Sequence, residues 1–524
     1  MRSADKFRFF LIFFLFFLYG ILISQKINLV TADLGRHIKN GELILHEEVR
    51  QKVLRTNLYS YSYPDYFFLN HHWESGVIFY LVHQTFGFNG VSILFLIVSL
   101  ATLGLFFGLA VKKSDFATAF LVAVLLLPLM ADRTEIRPEM FSYLLAGVFL
   151  WVLWEARKGR KWLMFLPLLQ LLWVNLHIYF FLGFFLIGIF LAEEILLFLI
   201  KKDSKSLGSA SWRMRDLGIA LVLSMLSSFL NPAGIKGVLY PLKIFGNYGY
   251  RVLENQTVWF LDKIIQYPPN LYFKIGFGLL LLSWIFVFWK RKIFSLSKLV
   301  LTIFISYLSW TAVRNFTLFG FFALPIISSN LSEFNEFSLP RRRLGDDISQ
   351  YFMISSLAIL ILFGLFLVNI PFWKTRNYIG FGLKKGVEKS AEFFKREKLR
   401  GPVFNNYDNG SYLIYYLYPQ EKVFVDNRPE AYPKGFFDQI YIPMQENNDR
   451  WKEMEQKYNF NTVFFYRHDL TPWAQTFLVN RITDSSWAPI YVDDFSIIFV
   501  KRNEINKELI NKFELPKEMF TVTN

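Results

Sequence analysis

The chain of 524 residues has no cysteine. Disulfides, cysteine-ligated zinc, iron–sulfur clusters and thiol nucleophiles are excluded together. The compartment stays open, because a domain outside the cytoplasm can do without disulfides. The part after residue 371 lacks a nucleotide-binding glycine fingerprint, a P-loop and any zinc-type ligand spacing, and internal repeats and low-complexity segments are missing throughout. The long apolar runs hold almost no carboxylates, with Glu193 and Glu194 near one end of a run as the exception. Coupling to a proton or ion gradient through those runs therefore has little to act on.

What the chain does have is apolar bulk: 53% of residues are hydrophobic, the mean hydropathy is +0.30, and there are 60 Phe, 26 Tyr and 14 Trp. A soluble chain would not gather such residues into unbroken runs, whereas lipid-facing and interfacial positions favour aromatic rings. The net charge of +15 is unevenly placed. From Phe372 onward there are 22 Lys and Arg against 20 Asp and Glu, leaving +13 for the apolar part. Basic residues set topology there, so the charge is not a nucleic-acid footprint and no nucleic-acid partner is expected.

Spans of about 20 apolar residues are predicted near 7–24, 91–111, 116–131, 140–154, 162–174, 178–200, 217–230, 271–289, 296–312, 316–329 and 351–370. The first follows Arg2 and Lys6, as a signal peptide would. No small-residue cleavage site comes after it, so an uncleaved span is expected. With the N-terminus in the cytoplasm, the inside segments include Lys112–Lys113, Arg157–Lys161, Lys201–Arg215, Lys290–Lys292 and Arg341–Arg343, and with the N-terminal arm and Lys298 they carry 21 Lys and Arg. The longer outside loops carry about 14. Every second loop is basic, and about eleven spans then place the C-terminal part outside.

The expected fold is mainly α: a polytopic membrane helix bundle over 1–371, with a first outside loop at 26–74, and a soluble extracytoplasmic α/β domain over 372–524. A second long outside loop covers 231–270, and 75–86 reads as an interfacial helix, too short to span. In the C-terminal part, strands are predicted at 403–405, 422–426, 462–466 and 495–501. Helices are predicted at 384–398, 411–418, 436–444 and 449–457.

Long polar loops on one face concentrate the candidate chemistry. Asp33-Leu34-Gly35-Arg36-His37 follows the first span. If helical, it sets Asp33 and His37 one turn apart on one face. Such a carboxylate can act as a general base or bind a divalent cation, and an ordinary helix-capping carboxylate is the plainer alternative. Asn70-His71-His72-Trp73-Glu74 fits a sugar or metal site, or an interfacial belt with wetted flanks. The stretch from Asp132 through Arg133, Glu135 and Arg137 to Glu139 suits phosphate, since a guanidinium donates two parallel hydrogen bonds. An ordinary charged loop has the same composition. Asn175 and His177 end a span, and Arg314 lies between two spans, where ionisable groups are costly; helix-to-helix pairing is the structural alternative. Lys236, Arg251 and Glu254 are further candidates.

Asp33-Leu34-Gly35-Arg36-His37 directly after a span, with Gly41-Glu42-Leu43-Ile44, resembles the GT-C superfamily of membrane glycosyltransferases. That superfamily includes protein O-mannosyltransferases, oligosaccharyltransferases and aminoarabinose transferases. Leu54-Arg55-Thr56-Asn57, Asn70-His71-His72-Trp73-Glu74, Arg137-Pro138-Glu139, Asn175-Leu176-His177, Arg314-Asn315-Phe316 and Val425-Asp426-Asn427-Arg428 resemble a bacterial branch of it. The resemblance covers most of the chain. It implies an inverting transfer of a sugar from a polyprenyl-phosphate donor to an extracytoplasmic glycan, lipid or protein, in a bacterial inner membrane among membrane lipids. Asp33 matches the first-loop aspartate that serves as catalytic base or metal-site carboxylate. Arg137 and Arg314 become candidates for the donor phosphate, and His37, His72, Glu74 and His177 for the substrate cavity. Several relatives carry an acidic pair where Leu34 follows Asp33 here, which leaves open whether Asp33 and His37 hold a divalent cation, Mg or Mn. Two other functions fit the same features: a non-enzymatic lipid-linked-sugar binding or transport protein, and an envelope assembly scaffold with the C-terminal part as its docking module.

Overall fold

The computed structural model describes residues 3–155, 161–200, 204–242, 249–265, 267–289, 295–335 and 348–520. The basic segments at 157–161, 201–215, 290–292 and 341–343 fall wholly or partly outside them. Each of the eleven predicted apolar segments contains a helix. Asp5–Ile23, Trp73–Lys113, Ile178–Ile200 and Pro269–Trp289 are long and apolar enough to cross a membrane, and Phe116–Met130, Trp162–Leu176, Leu296–Thr311 and Phe352–Val368 are apolar but shorter. Their outward faces carry large apolar side chains, among them Phe9, Phe10, Phe13, Phe17, Ile93, Ile97, Leu282 and Ile285. Water does not tolerate apolar faces of that extent, so these helices face lipid. The chain is a multi-pass membrane protein.

By its contacts the chain divides into two units, one of Met1–Gln25, Ser92–Val238 and Val252–Phe381, the other of Lys26–Val91, Leu239–Arg251 and Gly382–Asn524. The segments 26–91 and 239–251, which include the first expected outside loop and part of the second, group with the C-terminal residues in the second unit. In the first unit Phe273 stacks on Phe316 at 4.6 Å and meets Trp310 edge-on at 5.1 Å, fastening three helices. The helix predicted at 75–86 is present as the first half of Trp73–Lys113, which breaks at Gly87, where φ is +61° and a side chain would be strained.

The second unit holds a four-stranded sheet ordered β1-β2-β4-β3, with β1 Val403–Asn405, β2 Thr462–Tyr466, β3 Trp487–Val492 and β4 Ser496–Lys501. β1 runs parallel to β2, and the other pairs are antiparallel. Phe404 is fully buried, with the rings of Phe424, Trp451, Phe460, Phe465 and Phe477 at 5.1–5.6 Å.

The strand predicted at 422–426 is not formed. Val423, Phe424 and Val425 are buried as expected, but side chains replace the ladder. Asn405 Oδ1 accepts from Phe424 N at 2.9 Å, Asn405 Nδ2 donates to Val425 O at 2.7 Å, and Ser62 Oγ donates to Phe424 O at 2.7 Å. Only Val423 keeps bridges, to Ser60 and Val403. The helical stretch predicted at 436–444 is present, as the short helix Lys434–Phe436, a π-helical Phe437–Tyr441 and the helix Pro443–Glu446. Pro472–Thr483 and β3 were not predicted.

The Leu34–Ile44 helix packs backbone to backbone. A Cβ on Gly41 would sit 2.0 Å from the Gly76 carbonyl oxygen, and one on Gly35 would sit 2.8 Å from the Ser411 oxygen. Gly41→Ala is therefore expected to cost about 1–3 kcal/mol, seen as a lower melting temperature of the detergent-purified protein. Gly278→Ala, where a Cβ meets nothing within 4 Å, should leave that temperature unchanged.

Candidate active site

Asp33 occupies the N-cap position of the Leu34–Ile44 helix, but its side chain makes no capping bond. Its Oδ1 instead accepts a hydrogen bond from Asn427 Nδ2 and lies 4.0 Å from Arg36 Nη2. Asn427 Oδ1 in turn accepts from Ser411 Oγ at 2.5 Å and from Arg36 Nε at 3.5 Å. The two residues flanking Asn427 are locked: Arg428 Nε and Nη2 donate to Asp426 Oδ1 and Oδ2 at 2.7 and 2.6 Å. Arg428 Nη2 also donates to Asn57 Oδ1 at 2.8 Å, and Asp426 N donates to the Tyr432 hydroxyl at 3.0 Å. Both charged side chains are buried, which a paired, fully hydrogen-bonded geometry permits. Burial pushes the nearby Glu430 carboxyl up, against the pull of Arg36 and Arg428.

His37 lies one turn into the helix and is buried, its ring edge-on to His72 at 5.6 Å and to Phe79 at 6.3 Å. His71 continues the group, 3.9 Å from His72 and 4.9 Å from Tyr240, with Nδ1 3.1 Å from the Leu69 carbonyl. Glu74 stands in the first turn of Trp73–Lys113. His37 and His72, two separate candidates, thus lie together in a packed aromatic group.

The first unit gathers the arginines. Arg133 donates from Nε to Glu139 at 2.5 Å and from Nη1 to Glu254 at 2.8 Å. Arg137 donates from Nη1 to the other Glu254 oxygen at 2.8 Å and from Nε to Glu135 at 2.8 Å. Arg314 donates to Asn255 Oδ1 at 3.0 Å, and its Nη2 and Nη1 lie 3.6 and 3.8 Å from Glu139 and Glu254. Arg137 and Arg314, predicted separately, therefore meet at Glu254, and Arg133 joins them. Burial alone would raise the Glu254 carboxyl, but Arg133, Arg137 and Arg314 outweigh it and hold it well below the usual range. Nearby, burial pushes Asp132 up to about 6 despite Arg376 at 3.7 Å. His177 has a structural post: its Nδ1 lies 2.8 Å from Ser142 Oγ, which accepts from Trp173 Nε1 at 2.7 Å, tying two helices together.

Among the described residues no group of three or more His, Asp or Glu side chains could hold a metal ion. Asp33 is met by an amide and a guanidinium, and the His37 ring is packed against other rings.

No family model matches the chain, and no curated protein sequence does. Solved structures do. The apo oligosaccharyltransferase of Archaeoglobus fulgidus aligns with a TM-score of 0.58 at 11% identity, over 95% of this chain and 74% of that one. The same organism's oligosaccharyltransferase AglB, in complex with an inhibitory peptide and a dolichol-phosphate, aligns with 0.56 at 12% identity over the same shares. ArnT from Cupriavidus metallidurans in the apo state aligns with 0.51 at 13%, over 95% of this chain and 98% of that one. The chain has the fold of the GT-C membrane glycosyltransferases, as its motifs imply.

Among the described residues Glu254 is the carboxylate shared by three arginines. Glu254→Gln should destabilise the first unit by about 3–5 kcal/mol at neutral pH, because it leaves buried guanidinium charge unmatched. A carboxyl held low contributes its full stability above the unfolded value of about 4.3 and loses it as pH falls through the folded value. The difference in melting temperature between the parent and Glu254→Gln should accordingly stay constant above about pH 5 and shrink with further acidification.

Proposed function

Taking the GT-C fold as premise, we propose that the chain is a membrane glycosyltransferase that moves a sugar from a polyprenyl-phosphate donor to a hydroxyl acceptor outside the membrane. In the proposed step the acceptor oxygen attacks the anomeric carbon as the bond from that carbon to the phosphate oxygen breaks, inverting the configuration. The lipid phosphate leaves with the bonding electrons, and Asp33 takes the acceptor's proton. Arg137 and Arg314 hold the phosphate and balance its growing charge. His37 and His72 form an aromatic wall for the substrate, Glu74 a polar contact, and His177 supports the cavity through Ser142. The proposed topology has about eleven spans in a bacterial inner membrane, the N-terminus in the cytoplasm and residues 372–524 outside.

The observation that carries this reading is the seat of Asp33. In a fold shared over 95% of the chain with an oligosaccharyltransferase, the carboxylate just past the first apolar helix accepts from the Asn427 amide and lies 4.0 Å from the Arg36 guanidinium instead of capping its helix. A merely solvated loop residue has no need of that arrangement. That one fold neighbour was solved with a dolichol-phosphate supports the donor class.

Asp33→Asn, inserted in membranes and supplied with radiolabelled polyprenyl-phosphate-linked sugars, should transfer at least about 100-fold more slowly. Transfer at the parent rate by a stably inserted variant would remove Asp33 from the reaction. Native mass spectrometry with a polyprenyl phosphate gives the second arm: replacing both Arg137 and Arg314 by Gln should weaken binding about tenfold or more, while Asp33→Asn should leave it intact. Equal binding by all three proteins would refute the phosphate role.

A further inference from the structure

We infer that Asn427 is a positioning residue for Asp33, so that the C-terminal part of the chain supplies a working element of the proposed centre. This rests on the reading of Asp33 as the acidic group of the reaction, and names a residue that the reading does not include.

An asparagine amide can point either way, and here its surroundings decide. Asn427 Oδ1 faces two donors, the Ser411 hydroxyl at 2.5 Å and Arg36 Nε at 3.5 Å, so Nδ2 is the end that meets the Asp33 carboxylate. Reversing the amide would set an oxygen against a carboxylate and a nitrogen against two donors. The backbone under Asn427 is held on both sides by the buried Asp426–Arg428 pair, which is itself tied to Asn57 and Tyr432. The close approach of Gly35 to Ser411 fixes the distance between the two elements.

The contacts of Asn427 and Arg36 both fall on Oδ1 of Asp33. The Asn427 hydrogen bond, with the Arg36 charge beside it, restrains the orientation of the carboxyl group. A base that must meet an acceptor hydroxyl at hydrogen-bond range gains from such fixing, since a displacement of about 1 Å can lower a rate on the order of 100-fold. A scaffold whose C-terminal part only docks partners would have no use for this contact.

The test compares Asn427→Ala, Asn427→Asp and Ser411→Ala in the full-length protein, each first checked for parent-like elution and melting. Isotope-edited infrared spectra, with the Asp33→Asn protein subtracted, isolate the Asp33 carboxylate stretches without any substrate. All three variants should shift those bands, Ser411→Ala least. In transfer assays with radiolabelled polyprenyl-phosphate-linked sugars, Asn427→Ala should lower kcat on the order of 100-fold with little change in donor KM. Asn427→Asp, which keeps the shape but loses the donor, should be no better than Asn427→Ala. Bands that stay in place in Asn427→Ala, or parent-like turnover in Asn427→Asp, would overturn the positioning role. Shifted bands with unchanged turnover in Asp33→Asn would leave the contact standing and sink the glycosyltransferase reading instead.

Discussion

The polar centre of the second unit depends on how closely the Leu34–Ile44 helix approaches its neighbours. Gly41 lies against the backbone at Gly76 and Gly35 against the backbone at Ser411, where even a methyl group would clash. Helices that touch at their backbones leave little room between them, so Arg36, His37 and Asn40 are buried although all three are polar. Each then has to find its partners within the protein. Asn40 Oδ1 accepts from the Tyr59 hydroxyl at 2.6 Å, His37 packs on His72, and Arg36 reaches Asn427. Backbone proximity thus explains both the burial of the polar residues and the contacts that Asp33 makes.

Much of this was legible in advance. Apolar runs mark helices whatever their surroundings, so all eleven segments contain helix, and the stretch after the first of them, considered as a helix, has Asp33 at its start. The buried strands β1, β2 and β4 could be read for the same reason, since a short apolar run in a soluble domain must enter a core. The stretch 422–426 shows where that rule stops. Its apolar residues are buried as a strand's would be, but the hydrogen-bond partners come from Asn405, Ser60 and Ser62, distant in sequence. Hydropathy reports burial and is silent about who supplies the hydrogen bonds.

The site was legible by residue type and obscure by pairing. Arg137, Arg314 and Glu254 could each be singled out as charges in the loops between apolar runs, but a sequence does not say that one carboxylate serves three arginines. Asn427 carried a faint signal: it sits between an Asp and an Arg in an otherwise apolar stretch, as happens when a buried ion pair fixes the residue between its members. Nothing in that pattern names Asp33, 394 residues away, as the partner.

The arginine group also bears on the phosphate role proposed for it. Glu254 takes Nη1 of both Arg133 and Arg137 at 2.8 Å, so a phosphate bound by these groups exchanges one anion for another. The gain is then the difference between two similar interactions, and binding stays modest, as turnover requires. Arg133 Nη2 and Arg314 Nε are buried and have no hydrogen-bond partner among the described residues. Donors that are idle in the resting protein gain most where new negative charge appears. If the group holds the donor as proposed, that place is the phosphate oxygen as its bond to the sugar breaks, and the arrangement would favour the transition state over the bound donor.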